Sequence, residues 1–148
     1  MILLVEDDPA DSRLIQRALG KVGIAEPVMR LTNGEDAIAY LRGDHPYGNR
    51  QSYPFPDLIL LDIKLPKRNG FEVLEWIRSQ KTILRRSIVV MMTSSRHAVD
   101  VSRAYELGVN SYLVKPETTE ALVSMTHLIK QYWLDCNESP AAGVVRGV

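Results

Sequence analysis

The chain is poor in the features that would staple it, anchor it in a membrane or draw it to a polyanion. Cys136 is the only cysteine in 148 residues, so no disulfide can form within the chain. Nothing base-like flanks it, which makes it a spare thiol rather than a nucleophile. No apolar run approaches the ~20 residues of a membrane span. No basic segment followed by an apolar one opens the chain in the manner of a secretion signal. A soluble, cytoplasmic protein is the expectation, and the sequon Asn137-Glu138-Ser139 is set aside for the same reason. Excess charge is missing too. Eighteen Lys and Arg balance eighteen Asp and Glu, so no bulk attraction to nucleic acid or an anionic membrane follows. The three histidines, His45, His97 and His127, are scattered without ligand spacing. Any electrostatic function must come from charges placed locally.

What is present is an alternation. Ile2–Val5, Leu58–Leu61, Ile88–Met92 and Tyr112–Val114 are short apolar runs, the first three apolar throughout. Such runs suit strands buried on both faces of a parallel sheet. Val28–Thr32 alternates polar and apolar, as an edge strand does. Between the runs lie stretches of helical period. These are Leu14, Ile15, Ala18, Leu19 and Val22; Ala37, Ile38 and Leu41; Val73, Leu74 and Ile77; Val101, Ala104, Tyr105 and Leu107; and Leu122, Met125, Ile129, Tyr132 and Trp133. Asn33 and Thr118 or Thr119 are placed to cap helices, and Gly108 to end one.

Five strands strictly alternating with five helices predict a doubly wound α/β fold, a parallel sheet with helices on both faces. The order 2-1-3-4-5 leaves the alternating second strand at an edge. The switch point then falls between strands 1 and 3, and a site is expected outside their carboxyl ends. The domain is expected to span residues 1–134, with 135–148 a flexible tail. Gly43–Pro56 is a long loop outside the minimal unit.

The carboxyl ends deliver Glu6-Asp7-Asp8 from strand 1, Asp62 from strand 3, Thr93-Ser94-Ser95 from strand 4 and Lys115-Pro116 from strand 5. Carboxylates from adjacent strands offer oxygen to a hard cation such as Mg²⁺. A cation there would relieve the repulsion among the acids. The exposed Asp62 carboxylate can attack phosphorus, Lys115 can meet a phosphate as a point charge, and Thr93 and Ser94 can donate hydrogen bonds to it. Asp8 stands apart from the other acids. It precedes Pro9, a residue suited to the first position of a helix, so Asp8 is a structural N-cap that accepts from the backbone N–H of Ala10 or Asp11.

The pieces "VED", "DLILLDIKLPKRNGFEVL", "VVMMTSS" and "YELGVNSYLVKP" resemble the receiver domain of two-component response regulators in order and spacing. The resemblance implies a flavodoxin-like receiver fold with Asp62 as phosphoacceptor. It implies Mg²⁺, with Mn²⁺ or Ca²⁺ as substitutes, held by Glu6, Asp7, Asp62 and the backbone carbonyl of Lys64. It also implies phosphate binding by Thr93, Ser94 and Lys115, a switch made of Thr93 and Tyr112, and a cis Lys115–Pro116 peptide. The loop before strand 3 and the late "QYWLDCNESP" are similar to single-domain regulators of phytochrome-type histidine kinases, which form homodimers. The resemblance implies a sensor histidine kinase as partner, with phosphotransfer and dephosphorylation self-catalysed and no enzyme turnover. Two rivals are weighed. A phosphatase with an Asp nucleophile ordinarily carries a second acid two residues on, where this chain has Lys64. A binding module that only keeps the fold would not need the full acid, Thr and Lys set.

Overall fold

The computed structural model describes residues 1–140, so 141–148 of the expected tail lie outside the described residues. Five parallel strands form one sheet in the order β2-β1-β3-β4-β5. They are β1 (Ile2–Val5), β2 (Val28–Leu31), β3 (Leu58–Leu61), β4 (Val89–Thr93) and β5 (Ser111–Val114). β4 begins and ends one residue later than its apolar run suggests, which makes Thr93 the last strand residue. The helices are α1 (Pro9–Lys21), α2 (Gly34–Arg42), α3 (Gly70–Ser79), α4 (Ala98–Glu106) and α5 (Thr119–Ile129). A short 3₁₀ turn at Ile83–Arg86, not foreseen in the sequence, precedes β4. No helix among the described residues is long and apolar enough to cross a membrane.

Successive strand residues point to opposite faces of the sheet. Leu3, Val5, Ile59, Leu61, Val89 and Met91 therefore pack with α2, α3 and Ala104 of α4. Ile2, Leu4, Leu58, Leu60, Val90 and Met92 pack with α1 and α5. Both faces are covered, which is why these strands are apolar at every position. The helical stripes are narrower than their periodicity suggests. Leu14, Tyr105 and Tyr132 are exposed, because a helix lying on a sheet buries only the residues at the centre of its apolar arc.

The caps fix where each helix begins. Asp8 Oδ1 accepts from the N–H of Ala10 at 2.8 Å and Asp11 at 3.0 Å, with Pro9 next in the chain. Asn33, Asn69 and Thr118 cap α2, α3 and α5, with Asn69 and Glu72 forming a capping box. Past Ile129 the chain stays helical in a wider, π-type turn through Cys136, where Tyr132 stacks edge-on against Trp133.

The Gly43–Pro56 loop is ordered by side chains of its own. Gly43 ends α2 with φ +83°. The Arg50 guanidinium then donates to the last carbonyls of that helix, Tyr40 and Leu41, each at 2.8 Å, and lies 4.1 Å from the Phe55 ring centroid. Tyr40, Tyr47 and Tyr53 pack ring against ring, and the Tyr40 hydroxyl donates to Pro54 O at 2.8 Å. The cis peptide bond of the described residues is His45–Pro46, not Lys115–Pro116.

Candidate functional site

Parallel strands in register end together, so the residues after β1, β3, β4 and β5 share one rim. Glu6 directly follows β1 and is held there by its N–H donating to Leu31 O at 3.0 Å. Asp62 follows β3, its N–H donating to Val5 O at 3.1 Å. Lys115 follows β5, its N–H donating to Thr93 O at 2.8 Å. The backbone ladder thus carries Glu6, Asp62 and Lys115 to the switch point of the sheet.

At the centre the Lys115 ammonium donates to Glu6 Oε2 at 2.5 Å, Asp11 Oδ2 at 2.9 Å and Asp62 Oδ2 at 2.9 Å. The three acceptors use all three of its N–H groups. The other Asp62 oxygen, Oδ1, accepts from the N–H of Ile63 at 2.7 Å, which fixes the plane of the carboxylate; the side chain is buried beneath the rim rather than exposed as expected. Glu6 is buried, and its Oε1 accepts from the N–H of Asp8 at 3.1 Å. Asp7 is exposed and its carboxylate accepts no protein hydrogen bond among the described residues. Oxygens of Glu6, Asp7 and Asp62 all lie within 4.8 Å of one another.

Three carboxylates on one ammonium, with Asp7 close to two of them, leave an excess of negative charge. Burial pushes the Glu6 carboxyl up to about 7; the Lys115 hydrogen bond opposes that shift and the Asp62 charge reinforces it. Burial would push Lys115 down, but its bonds to Glu6, Asp11 and Asp62 outweigh it and hold the ammonium above the usual lysine value. Lys115 therefore stays charged while Glu6 resists ionising. A divalent cation would supply the missing positive charge. The donor set fits one: three carboxylates, all oxygen, leave positions for waters and a further oxygen, as Mg²⁺ requires.

The remaining rim residues are placed less tightly. Thr93 is fully buried and its Oγ1 accepts a long hydrogen bond of 3.5 Å from the N–H of Ser95. Ser94 is exposed, as is Lys64 in the loop after Asp62. The half-buried Tyr112 hydroxyl donates to Ser95 O at 3.0 Å, and Ser95 Oγ donates to Asp100 Oδ2 at 2.5 Å. β5 is thereby tied to the loop between β4 and α4. From behind, Gly70 presses on the acceptor. A Cβ there would lie 2.2 Å from the Asp62 carbonyl oxygen.

Sequence reasoning missed Asp11 and Arg30. Arg30 on β2 donates to the carbonyls of Glu6 at 3.2 Å and Asp7 at 3.1 Å, and so clamps the β1–α1 turn. Asp11 was visible only as the third residue of a helix. Its partner is 104 residues away, and no local pattern signals that contact.

The family model for the response regulator receiver domain matches residues 2–127. The chain belongs to this family. The receiver is 43% identical over 142 residues to response regulator Rcp1 of Synechocystis sp. (strain ATCC 27184 / PCC 6803 / Kazusa), an alignment that covers 96% of this chain and 94% of the relative. Among solved structures it resembles the phosphorylated cyanobacterial phytochrome response regulator RcpA, with TM-score 0.86 and 40% identity, covering 94% of this chain and 96% of that one. It also resembles the Mn²⁺-bound form of Rcp1, with TM-score 0.83 and 41% identity, covering 94% and 97%. The five-stranded receiver fold in the order 2-1-3-4-5, expected from the alternation of runs, is the observed one.

Proposed function

We propose that this receiver accepts a phosphoryl group on Asp62 from the phosphohistidine of a sensor histidine kinase of the phytochrome type. The observation that carries the reading is the fixed Asp62 carboxylate. Ile63 N–H pins one oxygen, and the other faces the Lys115 ammonium beside two more acids. Asp62 Oδ2 forms the new bond to phosphorus as the bond from phosphorus to the donor imidazole nitrogen breaks. The electron pair leaves with the imidazole, which takes up a proton. Lys115 turns from Asp62 Oδ2 to a phosphoryl oxygen as a point charge, and the hydroxyls of Thr93 and Ser94 donate to others.

Glu6, Asp7 and Asp62, with the backbone carbonyl of Lys64, would hold Mg²⁺ here. When bound, the metal supplies positive charge against the phosphoryl oxygens. Asp8 stays outside this set as the cap of α1. The solved structures of RcpA, phosphorylated, and of Rcp1, Mn²⁺-bound, support the two halves of the reading.

The added charge of about −1.5 to −2 draws Thr93 and Lys115 inward. Tyr112, joined to the β4–α4 loop through Ser95, passes the change to α4, β5 and α5. An apolar groove of about 570 Å³ between β5 and α5, lined by Leu113, Met125, Leu128 and Tyr132, lies on that surface. It supports a protein contact there, a second copy of the receiver being the first candidate. The protein works in the cytoplasm, by phosphotransfer rather than turnover of a substrate. Incubation with a ³²P-labelled phytochrome-type kinase, followed by size-exclusion chromatography, tests the reading. Label should move to the wild type and enlarge its dimer fraction. Equal label on Asp62→Asn would sink it.

A further inference from the structure

The Lys115 tripod contains one acid that the proposed chemistry does not use. Of its three acceptors, Glu6 and Asp62 also belong to the oxygen cluster that fits a cation, and Asp11 does not. Asp11 reaches Lys115 from the first turn of α1, where its own N–H is held by Asp8 Oδ1 at 3.0 Å. Its side chain is 41% exposed, against 1% for Glu6 and 9% for Asp62, so its charge stays well hydrated without a partner in the pocket. Asp11 is thus the one partner that Lys115 can keep when the other two carboxylates turn to a metal.

We infer that Asp11 is a positioning residue for Lys115, one that favours metal over lysine at Glu6 and Asp62, and lysine at rest over lysine on the phosphoryl group. The inference rests on the phosphoacceptor reading above and goes beyond it. Two consequences follow from the geometry, and they have opposite signs.

The first concerns the metal. With Asp11 present the ammonium has somewhere to stay when Glu6 and Asp62 are engaged, and the Asp11 charge itself attracts a cation. Without Asp11, Lys115 competes harder for those two carboxylates and the local negative potential falls. Both effects weaken Mg²⁺ binding. The second concerns the phosphoryl group. Asp11 stabilises the resting position of Lys115, and its charge repels an incoming phosphoryl group. Without Asp11 the resting pair is lost and the repulsion goes with it. Both effects strengthen the hold on a phosphoryl group. A residue that merely supported the fold would move the two affinities in the same direction or leave both alone.

The test uses the full chain as wild type, Asp11→Asn and Asp11→Glu. Calorimetry gives the Kd for Mg²⁺ alone, then for fluoroberyllate, a tetrahedral phosphoryl mimic, at saturating Mg²⁺. Asp11→Asn should weaken Mg²⁺ by roughly threefold and tighten fluoroberyllate by a similar factor, the scale of one partly exposed ion pair. Asp11→Glu, which keeps the carboxylate on a longer arm, should fall between Asn and wild type on both. Thermal melts establish that each variant is folded. If folded Asp11→Asn shows both constants unchanged, or both weakened together, the positioning role is wrong. If the wild type binds neither probe, the phosphoacceptor reading fails first and takes this one with it.

Discussion

Replacing Gly70 with alanine should damage the acceptor while leaving every polar group of the site in the chain. The added Cβ would sit 2.2 Å from the Asp62 carbonyl oxygen, and 2.9 Å from both the Asp62 carbonyl carbon and the Ile63 Cα. The first distance is about 1.2 Å short of ordinary van der Waals contact. All three atoms are backbone, so no side chain can swing away. Either α3 lifts off the sheet, losing the Gly70 N–H to Ile63 O bond of 2.8 Å, or the Asp62–Ile63 segment is pushed. Overpacking of this kind costs ~1–3 kcal/mol, roughly 3–10 °C of Tm for a chain of this size. The Ile63 N–H that orients Asp62 moves with the segment. A displacement of ~1 Å at a reacting group costs ~100-fold in rate. The comparison is Gly34→Ala, whose Cβ would lie 2.0 Å from Arg68 O. The overlap is as severe, but it falls six residues beyond Asp62. Both variants should lose similar Tm, and only Gly70→Ala should lose most of its rate of phosphorylation by acetyl phosphate. A Gly70→Ala protein that melts and labels like wild type would refute the steric argument. Equal loss of labelling in Gly34→Ala would refute its link to Asp62.

The acids of the β1–α1 turn should separate by assay. Asp7→Ala should weaken Mg²⁺ binding, read by calorimetry, on the order of tenfold or more with little change in Tm. Asp8→Ala should lower Tm through the lost cap and leave Mg²⁺ affinity nearly unchanged; the reverse pattern would contradict the assignment. Gly20 lies inside α1 with nothing within 4 Å of an added Cβ, so Gly20→Ala should raise stability to urea by ~0.4–1 kcal/mol. Burial pushes the Tyr40 hydroxyl up to about 12, above its unfolded value near 10. Its contribution is therefore complete below about pH 10 and is lost as the pH rises towards 12, by at most ~2–3 kcal/mol. Tyr40→Phe should cost ~1 kcal/mol at neutral pH for the lost bond to Pro54 O. Urea unfolding near pH 11 should then show a smaller alkaline loss in the variant than in wild type.

The fold was legible because β1, β3 and β4 are buried on both faces, which writes a continuous apolar run such as Leu58–Leu61 into the sequence. The places of Glu6, Asp62 and Lys115 were legible for the same reason, each being the first polar residue after a strand. The Asp8 cap could be read from Pro9 alone. Contacts made between distant side chains were not legible. The tripod on Lys115 joins residues from three parts of the chain, and nothing near Asp11 announces it. Arg30 looked like the polar half of an alternating edge strand, and only the fold shows it clamping the turn beside it. In the Gly43–Pro56 loop the aromatics and Arg50 are close in sequence, yet their order comes from packing on α2, which has no periodicity to read. Leu14, Tyr105 and Tyr132 keep the helical period yet are exposed, because period alone does not show where burial stops.

Intact mass after treatment with acetyl phosphate, with and without Mg²⁺, tests the central claim most directly. Wild type should gain one phosphoryl group only when Mg²⁺ is present, the label should map to Asp62, and Asp62→Asn should gain none. A gain of the same mass by Asp62→Asn, or by wild type without any divalent cation, would contradict the account.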